Sequence, residues 1–273
     1  MELKRVANLT KSSLRGGIAL LFTCLCSISH AQEGYLWSSK TVDSPSLATH
    51  NGNLYMSYIS EDGKKNILVK PFSGGQWKSP MRLSDASSHT PAITSYGGSL
   101  HLAYKSNVGE RVYNKTFNGS TWSNTSKNAS TTSEGPALAN YNDLLFMVFN
   151  AKTSRNILYK WQNNGSWISA KDTGSDTPRE ISLTVNNGVL YAAFRSVDSS
   201  NQILVRPFTG SSWGNSIRLA SKTSDVPVIT SHNGVLYLVF RSDDGDPRRD
   251  GVNGAVDKDD QHLLIKSSYN GID

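Results

Sequence analysis

Three regularities predict an all-β fold, a five-bladed β-propeller of four-stranded antiparallel blades closed by the N-terminal strand. Tryptophans stand at 37, 77, 122, 167 and 213, separated by 40, 45, 45 and 46 residues. Prolines at 45, 91, 136, 178 and 227 keep nearly the same step, at 46, 45, 42 and 49. Between proline and tryptophan the text recurs. Asn51-Gly-Asn-Leu-Tyr-Met-Ser-Tyr and Asn66-Ile-Leu-Val-Lys-Pro-Phe in the first unit are answered by Asn187-Gly-Val-Leu-Tyr-Ala-Ala-Phe and Asn201-Gln-Ile-Leu-Val-Arg-Pro-Phe in the fourth. Four short strands per unit of about 45 residues, repeated, is the pattern of propeller blades.

Each unit breaks into the same elements. A proline opens the first strand. A dipeptide such as Asn51-Gly52 or Gly97-Gly98 makes the hairpin, because both residues tolerate positive φ. An alternating second strand follows, as in Leu236-Tyr-Leu-Val-Phe240, and then Ile-Leu-Val-Lys/Arg as the third. The aromatic-x-Gly-x-x-Trp segment, clearest in Phe117–Trp122, turns into the fourth strand. The repeats run over residues 45–77, 91–122, 136–167, 178–213 and 227–273. The last unit ends Tyr269-Asn-Gly-Ile-Asp273, where its tryptophan is due, and Trp37 stands spare at the other terminus. Residues 35–38 are therefore expected to complete the fifth blade and remove an open sheet edge.

Ahead of the repeats lies a leader. Lys4, Arg5, Lys11 and Arg15 precede an apolar run from Gly17 to Ile28, and Ser29-His30-Ala31 places small residues at −3 and −1. This is the layout of a secretory signal peptide over 1–31, which predicts a secreted or periplasmic protein, the domain being 32–273. Acylation at Cys24 is the alternative. Four basic residues and one acidic residue fall in the leader, so its removal takes the net charge from +6 to +3. No basic stripe remains to grip nucleic acid. No stretch of 18 apolar residues is present, so an integral membrane span by helix is not expected. Both cysteines, Cys24 and Cys26, also lie in the leader, which leaves the domain to be held by burial rather than disulfides.

Antiparallel blades bring the start of the first strand and the end of the second to one rim. Two residues before the repeat prolines stand Asp43, His89, Glu134, Asp176 and Asp225; after the second strands stand Ile59, Lys105, Asn150, Arg195 and Arg241. Asp176 with Arg195 and Asp225 with Arg241 pair a carboxylate acceptor with a guanidinium donor, which suits a polyhydroxylated ligand. His89 with Lys105 and Glu134 with Asn150 are the weaker versions. The repeat tryptophans are read as packing between blades, and Trp161 stands outside the repeat position. An insert over 242–261 concentrates acids, among them Asp243, Asp244 and Asp246, and calcium is the cation that such oxygen donors suit. No other cofactor is expected. Sequons stand at Asn114, Asn118, Asn124, Asn128 and Asn164.

On these repeats the chain resembles tachylectin-type propeller lectins and bacterial fucose-binding propeller lectins over roughly residues 35–273. Its aromatic-x-Gly-x-x-Trp hairpins are similar to the Asp-box hairpins of sialidases, with Phe72, Phe117 and Phe208 where that box has Asp. The resemblance implies a multivalent lectin whose partners are glycans or glycoconjugates. Two other readings stay open: a glycoside hydrolase, sialidase- or arabinanase-like, using carboxylates at the repeat positions, and a protein-binding adhesion propeller. No Gly-x-Ser-x-Gly, His-Glu-x-x-His or phosphate loop is present.

Overall fold

The hairpins expected from the dipeptide turns all form. In a computed structural model, residues 40–163, 165–241 and 263–268 are described, and every statement of structure below concerns them. The leader with Cys24, the segment at Trp37, Asn164, the acidic insert with Asp243, Asp244 and Asp246, and Tyr269–Asp273 lie outside them. The first sheet comprises β1 Ser46–His50, β2 Asn53–Ile59, β3 Asn66–Ser73, β4 Gln76–Trp77 and β5 Met81–Ala86. The second comprises β6 Ala92–Tyr96, β7 Ser99–Lys105, β8 Arg111–Phe117 and β9 Ser126–Thr131. The third runs β10 Ala137–Tyr141, β11 Leu144–Asn150, β12 Asn156–Asn163, β13 Ser166–Trp167 and β14 Lys171–Asp176. The fourth is β15 Ser182–Asn186, β16 Val189–Arg195, β17 Gln202–Phe208 and β18 Ile217–Lys222. Three strands follow, β19 Val228–His232, β20 Val235–Arg241 and β21 Leu263–Ser268. No helix occurs among the described residues.

Each sheet begins with the same two-residue turn. Asn51-Gly52, Gly97-Gly98, Asn142-Asp143, Asn187-Gly188 and Asn233-Gly234 all have positive φ at both positions. That is the type I′ geometry whose twist matches the flanking strands. The innermost strands then pack in sequence order, β1 against β6, β6 against β10, β10 against β15 and β15 against β19. Together they line one central cavity of about 640 Å³. Antiparallel sheets arranged around a cavity by their first strands make an all-β propeller.

Two expectations need correction. Where five four-stranded blades were expected, the described residues supply four complete blades and a three-stranded fifth sheet. The strand expected to close it lies outside those residues. Second, the aromatic-x-Gly-x-x-Trp segment is not the outer strand. It is a tip of two residues, as in Gln76–Trp77, or a single bridge, as in Phe117 with Trp122. The true outer strands β5, β9, β14 and β18 follow each tryptophan and pair with the inner half of the third strand, through a register shift that recurs in all four blades. Repeats ending at tryptophan therefore stop one strand short. Pro80, just after the first tip, is a visible reason for a break there, since it has no N–H for a ladder.

The tip tryptophans pack first within a blade, where Phe72–Trp77, Phe117–Trp122 and Phe208–Trp213 each hold ring centroids 5.2 Å apart, and Trp213 also packs between blades as expected, on Tyr159 at 5.7 Å. Trp161 is accounted for as well: it stacks on Phe146 at 5.5 Å, with the Lys171 ammonium 4.8 Å from its ring. Buried Phe146, Tyr159, Phe194 and Phe208 knit the third and fourth blades into one cluster.

A cation recurs at one register of every third strand: Lys70, Lys115, Lys160, Arg206 and Lys266, opposite Met56, Leu102, Met147, Ala192 and Leu238. Three of them stitch a blade to the outer strand of the blade before it. Lys115 pairs with Asp85 at 3.0 Å, Lys160 donates to Asn128 Oδ1, and Arg206 donates to Ser175 Oγ at 2.6 Å. Asn128 is thereby buried, which closes that sequon to a bulky glycan.

Lys160 has an amide oxygen but no carboxylate among its described partners, and burial pushes its pKa down to about 8. An unfolded lysine near 10.4 holds its proton longer, so this residue makes stability rise as pH climbs from about 8 toward 10. Lys160→Met should flatten that rise and leave stability at neutral pH unchanged or higher. Thermal melts of both proteins across that pH range check it; a parallel pH response in the two contradicts it.

Candidate functional site

The rim is built from a repeated hydroxyl turn. Ser87, Thr132, Thr177 and Thr223 sit between the outer strand of one blade and the innermost strand of the next, and all four are fully buried. Their amides donate to the carbonyls of Lys65, Glu110, Arg155 and Asn201 at 2.7–3.1 Å. Two residues on, the hydroxyls hold the backbone that bears the candidate side chain. Ser87 Oγ donates to the His89 carbonyl at 2.6 Å, Thr132 Oγ1 to Glu134 at 2.9 Å and Thr223 Oγ1 to Asp225 at 3.2 Å. Thr41 does the same for Asp43 at 2.8 Å. In the fourth blade the Arg179 amide donates to Thr177 Oγ1.

That last bond corrects the site. Ser182 pairs with Ala193 as Ser46 pairs with Ser57 and Ala92 with Ala103, so Ile181 occupies the place of the other repeat prolines. Pro178 has slipped three residues toward the N-terminus. The rim position belongs to Arg179, whereas Asp176 ends β14, exposed and opposite Asn156 on the outer edge of the third blade. The expected pairing of Asp176 with Arg195 is not formed. Arg195 instead donates to the Ser224 carbonyl at 3.2 Å, with its Nε buried and unpartnered among the described residues.

The other expected residues divide into struts and presented groups. Asn150 is buried and donates to the carbonyls of Thr177 and Arg179 at 3.0 and 3.1 Å, bracing the next turn rather than facing solvent. Lys105 reaches Ser88 Oγ at 3.3 Å. Asp225 and Arg241 do meet, at 3.7 Å and both half-exposed, with Arg241 Nε also donating to Ser224 Oγ at 2.9 Å. They are the most open acid–guanidinium pair on the rim positions.

A second constellation lies where the cavity meets the rim. His89 Nε2 stands 3.4 Å from Glu134 Oε2, and Glu180 joins them, with one donor atom from each residue within 4.8 Å of the other two. Burial, and then the negative charge of Asp43, push the Glu180 carboxyl up to about 7, against the opposing pull of His89 and of the Gly135 N–H. That N–H donates to Glu180 Oε1 at 3.1 Å. Glu180 was missed in the sequence because Pro178 was taken as the landmark. Aligned by strand pairing, Glu180 falls where Ser44, Thr90, Gly135 and Val226 stand in the other sheets, a charge among uncharged residues.

Comparison with solved structures bears on the fold. AofleA from Arthrobotrys oligospora superposes with a TM-score of 0.63 at 11% identity, covering 86% of this chain and 71% of that one. The fold is that of a β-propeller. A triple arginine-to-alanine mutant of AofleA gives 0.64 at 12% identity over 87% of this chain and 73% of that one. A mutant Aleuria aurantia lectin in complex with Fucα1-6GlcNAc gives 0.53 at 11% identity, covering 73% and 71%. Xylan β-1,4-xylosidase from Bacillus halodurans gives 0.52 at 13% identity, covering 73% of this chain and 48%, about half, of the enzyme. No protein-family model and no curated protein matches the sequence.

The constellation also explains one glycine. A Cβ on Gly135 would come within 2.5 Å of Glu180 Oε1 and 2.9 Å of the Thr90 carbonyl. Gly135→Ala should therefore destabilise the protein by about 1–3 kcal/mol, the usual cost of overpacking. Combining it with Glu180→Ala should recover part of that loss, the clash with Thr90 remaining. Urea unfolding of the two single variants and the double variant checks this; strictly additive effects would contradict it.

Proposed function

We propose that this chain is an exported, non-catalytic glycan-binding propeller that presents polar side chains in several copies on one rim. The observation that carries the reading is the repeated turn itself. The same position recurs beside the cavity in successive sheets while the side chain on it varies, from Asp43 through His89, Glu134 and Arg179 to Asp225. Repetition suits multivalent capture, in which several weak sites on one rigid face add avidity. Asp225 and Arg241 supply an acceptor and several donors for vicinal hydroxyls. The one reported neighbour named as a lectin, in complex with Fucα1-6GlcNAc, supports this class, and fucosylated glycans are the first ligands to test.

Hydrolysis is the second reading, favoured by Glu180, whose raised carboxyl would suit a general acid at neutral pH. Spacing weighs against an inverting enzyme: donor oxygens of Glu134 and Glu180 lie within 4.8 Å, well short of the ~6.5–9.5 Å that an inverting pair needs.

A fifth blade completed by residues 35–38 belongs to the same proposal. Leu47 is 56% exposed, whereas its counterparts Ile93, Leu138 and Ile229 are at most 8% exposed and Leu183 is partly buried. Among the described residues the first sheet thus lacks on one flank the packing that the others have. Deleting residues 32–38 should lower the melting temperature of the whole ring, and an unchanged melt would remove the closing strand from the account.

The functional reading is tested on a glycan array. Binding to fucosylated glycans is expected. Arg241→Ala should weaken it about tenfold or more, the loss of a charge-assisted hydrogen bond worth about 1.5–3 kcal/mol. No sugar should be released from oligosaccharides. Release that Glu180→Gln abolishes would make the hydrolase reading correct.

A further inference from the structure

We propose that His89, Glu134 and Glu180 bind one divalent cation of the zinc class, where the central cavity meets the rim. The separation of one ligand pair fits. His89 Nε2 and Glu134 Oε2 stand 3.4 Å apart, close to the roughly 3.3 Å between two ligands of a tetrahedral zinc with bonds of about 2.0–2.1 Å. It is also longer than the ~2.7–3.2 Å of a direct hydrogen bond.

The hydrogen bonds around His89 point the same way. Ser88 Oγ stands 3.2 Å from the Ser106 carbonyl, 3.3 Å from Lys105 Nζ and 2.9 Å from His89 Nδ1. With a metal on Nε2, the ring would donate from Nδ1 to Ser88 Oγ, the outer-shell support by which ligating histidines hold their tautomer.

Charge and space agree. Glu134 and Glu180 bring two carboxyl groups to the site, and a divalent cation would balance their charge. Gly135 leaves the room that Glu180 fills and donates its N–H to Oε1, so the carboxyl is held in place. One imidazole nitrogen beside two carboxylates favours zinc over calcium or magnesium, which prefer all-oxygen shells. Three protein ligands leave a fourth position for water or for a ligand oxygen.

The test uses the full-length protein, stripped with EDTA, dialysed and titrated with zinc chloride by calorimetry, with bound metal counted by mass spectrometry. One zinc per chain is expected at this site. Glu180→Gln and His89→Gln should each weaken it more than tenfold. Ser88→Ala, which leaves all three ligands in place, should weaken it about 10–100-fold. Circular dichroism melts confirm that each variant is folded. The cobalt form should lack a thiolate charge-transfer band, which separates this site from Cys24 and Cys26. No zinc uptake, uptake of calcium alone, or zinc uptake unchanged in the folded Glu180→Gln and His89→Gln variants would overturn the proposal.

Discussion

A buried hydroxyl, repeated from blade to blade, is the interaction on which the rest of this structure depends. Ser87, Thr132, Thr177 and Thr223 stand at the passage from one blade to the next, where the chain must turn inward with its backbone polar groups shielded from water. An unpaired buried amide or carbonyl there would cost about 1–3 kcal/mol. Instead, each amide bonds to the carbonyl before a third strand, and each hydroxyl bonds to the backbone two residues ahead. The bonds join the outer strand, the rim and the innermost strand into a single unit. They also fix where the rim side chain emerges, so a change of residue type at that point alters chemistry without moving the scaffold.

That separation explains why much of the fold was legible in the sequence. Type I′ hairpins require positive φ at two adjacent residues, so Asn-Gly and Gly-Gly announce them, and even Asn142-Asp143 obeys the rule with less obvious residues. The second strands are apolar along most of their length because both faces of each blade are packed. The outer strands were not legible, because β5, β9, β14 and β18 are largely polar and half-exposed, with Lys171–Asp176 carrying no apolar side chain at all. The tryptophan before them is so regular that it reads as the end of a unit.

The site was legible only in part, for a different reason. Proline is a good landmark when it starts a strand, since its fixed φ and missing N–H suit that place. The backbone tolerates it equally at Pro178, inside the turn, once Ile181 fills the apolar place at the strand's start. The displacement of three residues hid Arg179 and Glu180 and lent Asp176 a role that belongs to the outer edge of the blade before. The Ser/Thr two residues ahead of each rim side chain was the better landmark. Nor does type alone separate a strut from a presented group. Asn150 and Arg195 both spend donors on carbonyls of the following turn, whereas Asp225 and Arg241 keep much of their surface in solvent.

The central claim is that one rigid rim offers several glycan sites, none of which performs chemistry. Titration calorimetry of the protein with free fucose tests it most directly, because stoichiometry counts sites whatever their individual strength. A stoichiometry above one per chain, with the sugar recovered intact, is what the repeated turns predict. A stoichiometry of one, centred on the Glu134–Glu180 region and lost with Glu180→Gln while Arg241→Ala has no effect, would contradict the account.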